Sequence, residues 1–232
     1  MGHEISEKRW KGRVQRKLLH WFDKNERPFP WRRTTDPFRV LIAEKLLQQT
    51  AATPALIAAY QQTVRLFPTP VALALAPART LKTIIAPLGF HYRAVELKRL
   101  AKTIVSKHNG RVPEDFCDLI QLPGVGDYSA RAVLAFAFRL DVPVVDTNVA
   151  RFLHRIYGLD TPVGNNPARG RRLLQLATSL VPSGRARNFN LAVLDLCALI
   201  CTSSRPKCTV CPVRSDCTFA NSSADVQISA RR

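Results

Sequence analysis

The 232-residue chain contains no apolar run near the roughly 20 residues that a membrane-spanning helix needs. Its first residues, MGHEISEKRW, lack the apolar core of a secretory signal, so the expected compartment is intracellular and reducing (cytoplasmic, at the nucleoid, in a prokaryote). Runs of alternating apolar and polar residues are essentially absent, which argues against a β-sandwich or barrel. Internal repeats and low-complexity tracts are missing as well. Acidic residues are scarce: 17 Asp and Glu stand against 35 Lys and Arg, for a formal charge of +18. Such an excess calls for an anionic partner, and with no membrane-directed segment the expected partner is nucleic acid. Cysteine is also rare outside one stretch. Five of the six, all but Cys117, lie between Cys197 and Cys217. A secreted disulfide framework spreads its cysteines along a short chain, whereas such clustering in a reducing compartment reads as metal ligation.

What is present is apolar material, 46% of residues, enough for one or two compact domains. It recurs at helical spacing along almost the whole chain. The pattern predicts helices over roughly 7–23, from the N-cap Asp36 through Leu47, over 54–67 and 70–76, and from Arg93 to Lys107. Further helices are expected near 114–121, after Gly126, from about Asn148 to Ile156, and near 167–181 and 188–200. Proline, glycine and asparagine mark the joints, as at Asn109-Gly110. The expected fold class is therefore all-α with two lobes, followed by a cysteine-rich loop and a polar tail without order over 222–232. Cys117 is expected in the core, and Cys197 as a small packing residue beside the loop.

Two motifs carry chemistry. Cys201, Cys208, Cys211 and Cys217 follow a C-x6-C-x2-C-x5-C spacing, which cannot lie on one regular helix and must fold as a loop around its ligand. Either structural zinc or a four-iron cluster takes four thiolates, and spacing alone leaves both open. The second motif is Leu122-Pro123-Gly124-Val125-Gly126, where two glycines allow a tight turn into an apolar helix. The free N–H groups and positive dipole end of that helix suit a phosphate oxygen, although a plain helix–helix turn would look the same.

Together these motifs resemble the helix-hairpin-helix DNA glycosylases of the endonuclease III and MutY superfamily, over nearly the whole chain from Phe29-Pro30-Trp31-Arg32 to Cys217. The resemblance implies a six-helix barrel lobe over 34–144 that carries the hairpin. It also implies a second lobe from 1–33 and 145–221, with a [4Fe-4S] cluster on the four cysteines in place of zinc. Duplex DNA with a mismatched or damaged base is the implied partner, and a monomer the implied state. Val145-Asp146-Thr147-Asn148 falls where the family keeps its catalytic aspartate; as a residue, Asp146 serves equally well as a helix N-cap. Members that also cleave the strand carry a lysine two residues after the second hairpin glycine. Tyr128 stands there instead, so no Schiff base is expected, only base hydrolysis.

Two such branches remain. The triplet Gln48-Gln49-Thr50 is MutY-like. Against MutY, Leu191 follows Phe189-Asn190 where MutY places a second glutamate, Ala52 replaces its usual valine, and Leu88 to Arg93 departs from its Gly-Tyr-Tyr-Ser pattern. The chain also ends soon after Cys217, so the domain with which MutY commonly recognises 8-oxoguanine is expected to be missing. The balance favours the MIG-type enzymes that remove thymine, and uracil, opposite guanine. The alternative is an adenine glycosylase acting on A:G or A:8-oxoguanine, and a non-catalytic DNA-binding module is a further one. Within this reading Asp146, Glu44 and Tyr128 are the implied catalytic residues. Glu44, in an otherwise apolar helix, is expected to have a raised pKa and to protonate the leaving base, or else to sit in a structural ion pair. Trp31, Ala52 and Leu191 would shape the base pocket. Gln48, Gln49, or a residue of Phe90-His91-Tyr92 would fill the gap left by the flipped base. Leu122, Gly124, Val125, Gly126, Asn148, Arg205 and Lys207 would meet DNA.

Overall fold

The computed structural model describes residues 2–89, 91–160 and 170–222. Those residues form eleven α-helices with short 3-10 turns, and no strand occurs among them. The chain divides into two compact units, one of Pro28–Phe138 and one of Met1–Arg27 with Arg139–Arg232.

In the first unit the helices are α2 (Pro37–Leu47), α3 (Pro54–Leu66), α4 (Pro70–Leu75), α5 (Ala78–Ile85), α6 (Tyr92–His108), α7 (Phe116–Ile120) and α8 (Asp127–Phe136). Their starts follow local chemistry. Asp36, Thr53 and Thr69 each accept a hydrogen bond from a backbone N–H of the first turn, with proline at the first helical position. Asp115 does the same for α7 from two N–H groups. Asn109, left-handed at φ 52°, closes α6 where the sequence places the stop. Helix α2 packs against α3, α6 and α8 and is buried on almost every side, Glu44 and Lys45 included. The core gathers Phe38, Ile42 and Leu46 of α2 with Leu56, Leu73, Leu81, Ile85 and Leu97. Helix α5 lies outside the sequence expectation, because Pro77 and Pro87 bracket its eight residues and leave too short a periodic run to read. Cys117, expected in the core, is exposed. On the five-residue α7 the buried position is Leu119, two residues on, and two residues turn about 200° to the opposite face.

The second unit contains α1 (Gly2–Asn25), α9 (Thr147–Tyr157), α10 (Arg171–Leu180) and α11 (Ala186–Leu199). Val14, Leu18 and Phe22 of α1 are buried, as are Phe152 and Ile156 of α9 and Phe189 and Leu196 of α11. The fully buried Asp195 accepts from the backbone N–H and the guanidinium of Arg27, so the end of α1 is pinned to α11 by a charged pair. At the end of α9, Gly158 has φ 66° and lies so close to Thr218 that an added Cβ would come within 2.6 Å of the threonine methyl. Only glycine serves there. The early part of the helix expected at 167–181 lies outside the described residues, as do 223–232 of the expected tail; Ser222 itself is helical, with 218–221 before it. No described helix is long and apolar enough to cross a membrane.

Candidate active site and cysteine loop

In the unit of residues 28–138 the candidate residues gather at the end of α2 and at the hairpin. Glu44 is buried at 6% exposure, and beside it Lys45 is buried at 2%. Helix α2 stops at Gln48, and the chain then turns through Gln49, a non-glycine residue in the left-handed region at φ 56°. Such strain clusters at functional positions. The last carbonyls of α2 do not face solvent unpaired. The buried Arg93 of α6 donates to the carbonyl of Leu46 at 2.8 Å and to that of Gln48. The Gln48 side chain is committed too: its Nε2 donates to the Gly124 carbonyl at 2.9 Å, and its Oε1 accepts from Lys45 at 3.0 Å. Gln49 is the exposed member of the pair.

The hairpin follows from its sequence. Leu122 and Val125 are buried and anchor the turn, Val125 N–H closes it onto the Leu122 carbonyl at 3.0 Å, and Gly124 takes φ 71°. Gly126 is the N-cap of α8 and brings no side-chain cap, and the positive dipole end of this helix lies at the hairpin. Tyr128 stands half-buried in that first turn. His91 and Tyr92 are exposed at the start of α6, and Phe90 lies outside the described residues. Ala52 packs half-buried against the core, and Trp31 is held within it at 8% exposure, stacked on Phe29 and edge-on to Tyr60.

In the other unit, Asp146 caps α9: its Oδ1 accepts from the Val149 N–H at 2.7 Å, and its Oδ2 accepts from Asn148 Nδ2 at 3.0 Å. Both oxygens are thereby oriented, so the capping role read from the sequence is realised and fixes the direction of the carboxylate. The chain of contacts continues. Arg151 donates to Asn148 Oδ1 at 3.0 Å and, through two nitrogens, to the carbonyl of Cys201 at 3.2 and 2.8 Å. Cys197, buried as expected, donates its thiol to the Asn148 carbonyl. Arg155 reaches Cys201 Sγ at 3.3 Å and the carbonyls of Thr202 and Ser203. Arg151 and Arg155 lie three and seven residues beyond Asn148, on one face of a short helix, and that spacing is the signal in the sequence that places them together.

Cys201, Cys208, Cys211 and Cys217 line one small cavity, together with Phe152, Ile200, Val213 and Ala220. Among the described residues no group of three or more His, Cys, Asp or Glu is placed to hold a metal ion. Burial pushes the Cys211 thiol up to about 11, and the neighbouring thiols of Cys201, Cys217 and Cys208 add to it. Burial also raises Cys217. Asp216, inside the loop, accepts from Arg13 at 3.0 Å and Lys17 at 2.6 Å of α1. Arg205 and Lys207 are exposed on the loop, and Leu191 is buried on α11.

These features can be set beside known proteins. Residues 42–178 match the HhH-GPD superfamily of base excision DNA repair proteins. A thymine/uracil-DNA glycosylase of Pyrobaculum aerophilum is 38% identical over 207 residues, covering 87% of this chain and 89% of its own. An adenine DNA glycosylase of Mycobacterium tuberculosis is 39% identical over 197 residues, covering 84% of this chain but 64% of its own. Among solved structures, a thermostable thymine-DNA glycosylase superposes with a TM-score of 0.86 at 31% identity, over 94% of this chain and 99% of that one. The chain belongs to the HhH-GPD superfamily of base excision DNA repair proteins.

Proposed function

We propose that this chain is a monofunctional DNA glycosylase that flips the thymine of a T:G mismatch, or the uracil of U:G, out of the duplex and hydrolyses its N-glycosidic bond. The observation that carries the reading is the likeness to the Pyrobaculum thymine/uracil glycosylase across nearly the full length of both chains, with Tyr128 where strand-cleaving members of the family have lysine. Leu191 after Phe189-Asn190 supports thymine over adenine.

In this mechanism the bond between the sugar C1′ and the base nitrogen breaks, and its electron pair leaves with the base. Asp146, aimed by Val149 and Asn148, stabilises the positive charge that develops on the sugar and accepts the proton of the water that adds to C1′. Glu44 donates a proton or hydrogen bond to the departing base. Tyr128 packs beside the sugar, and it has no amine with which to capture it. The hairpin and the positive dipole end of α8 bind a phosphate, and the exposed loop cations Arg205 and Lys207 bind others. Gln49, exposed and strained, fills the gap in the duplex; Gln48 is occupied by the hairpin.

The four cysteines fit a [4Fe-4S] cluster, since they line one small cavity together with apolar side chains and with Arg155, whose guanidinium donates to Cys201 Sγ. When bound, the cluster supplies the positive charge that keeps four crowded thiolates ionised and cross-links the loop. The chain's own contribution is to hold that loop through Arg151, Arg155, Arg13 and Lys17.

The test is a set of duplexes with T:G, U:G, A:G and A:8-oxoguanine, each treated with protein and then hot alkali to cut at abasic sites. Cleavage of T:G and U:G is expected, with no cleavage before alkali and no adduct on borohydride treatment. Cleavage of only the adenine-containing duplexes sinks the thymine reading, and a strong borohydride adduct sinks the monofunctional one.

A further inference from the structure

Lys45 is a cost that the function proposed above leaves unexplained. It is 2% exposed on an apolar helix, and its amine has been carried out of water. Its three protons meet three acceptors: the Gly124 carbonyl of the hairpin at 3.1 Å, Gln48 Oε1 at 3.0 Å and Glu96 Oε2 of α6 at 3.3 Å. The Gly124 carbonyl also accepts from Gln48 Nε2 at 2.9 Å, so both of its lone pairs point at the end of α2. The approach is close enough that a Cβ on Gly124 would stand 2.2 Å from the lysine nitrogen. From the other side Arg93 holds the carbonyls of Leu46 and Gln48. Gln48 is thus fixed through both its backbone and its side chain, and Gln49 follows it directly.

We propose that Lys45 is a positioning residue that locks the hairpin to the Gln48-Gln49 turn, so that the hairpin's seat on a backbone phosphate sets how deeply Gln49 enters the duplex. This rests on the DNA-binding reading of the chain and adds a specific residue to it. A lysine whose only task was stability would be a poor choice, because an apolar residue of the same length packs there without desolvating a charge. The lock also explains why two charged residues sit side by side on α2: Glu44 serves the base, and Lys45 serves the hairpin.

The test is Lys45→Met, nearly the same volume without the donors. Gly124 keeps its bond from Gln48, and Glu96 is part-exposed and returns to water, so the variant folds with a melting temperature equal to or above that of wild type. Its dissociation constant for a T:G duplex, by fluorescence anisotropy, rises about tenfold at fixed salt. The slope of affinity against salt is unchanged, because Lys45 is buried and replaces no counterion; a lysine in direct contact with phosphate would lower that slope by about one. Gln49→Ala weakens wild type but adds little in the Lys45→Met background, the non-additivity of a shared device. Lys45→Leu, which likewise removes the donors, gives a loss of the same order and stands in if Lys45→Met does not fold. Wild-type affinity in either folded variant, or an undiminished Gln49→Ala effect in the Lys45→Met background, overturns the proposal. Base release does not enter these measurements. Binding that responds to Lys45 while adenine, or no base, is released would therefore refute the thymine reading alone, whereas no duplex binding by wild type refutes both.

Discussion

Asp146→Asn is expected to reduce thymine release from a T:G duplex by at least about a hundredfold, the scale of losing a charge aimed at a developing opposite charge. The substitution is informative because asparagine caps a helix about as well as aspartate. The bond from the Val149 N–H survives and α9 stays in register; what is lost is the negative charge and the acceptor for Asn148 Nδ2. Duplex affinity and melting temperature should therefore stay close to wild type. Asp146→Ala would mix this with the loss of a cap, about 1 kcal/mol, and is the poorer experiment. Single-turnover rates measured beside anisotropy titrations make the check. Full activity in the Asn variant would remove Asp146 from the mechanism, and loss of binding in step with activity would mean the residue is structural.

Cys211→Ser is expected to have the largest effect on the protein as a whole. In wild type, iron and inorganic sulfide should each be found at about four per chain; in the variant both fall steeply. A set of thiols that loses its ligand has little to hold it, because only Val213 and Asp216 of the loop are buried and its contacts to α1 and α9 run through side chains. Loss of a metal centre costs more than about 4 kcal/mol, which for a domain of this size lowers the melting temperature by roughly 10 °C. The damage should reach the chemistry as well, since the Cys201 carbonyl is tied through Arg151 to Asn148 and so to Asp146. Duplex affinity should fall with it as Arg205 and Lys207 lose their placement. Zinc without iron in the wild-type protein would contradict the cluster assignment.

Much of this arrangement could be read from the sequence for simple physical reasons. Helix starts at Asp36, Thr53, Thr69 and Asp146 are local events between a side chain and an N–H two or three residues on, and local events are visible in one dimension. The hairpin was legible because Gly124 needs a backbone conformation that few other residues adopt. Tertiary partnerships were hidden. Lys45 lies 79 residues from Gly124 and Arg93 lies 47 from Leu46, and nothing in the intervening pattern announces either contact. One signal was available: a lysine amid the apolar residues of α2 is as costly as the glutamate beside it, and that same argument singled out Glu44 alone. Cys117 misled because a thiol is usually buried, while the five residues of α7 have only one face to bury. That the hairpin occupies Gln48 and leaves Gln49 exposed was hidden for the same reason, since two adjacent glutamines differ only in a tertiary contact.

The most direct measurement uses one duplex carrying both a T:G mismatch and an A:8-oxoguanine pair, with the free bases identified by mass after a single turnover. Thymine alone, released into solution while the strand remains intact, is the predicted result. Adenine as the released base, or a strand cut without alkali, would contradict the account.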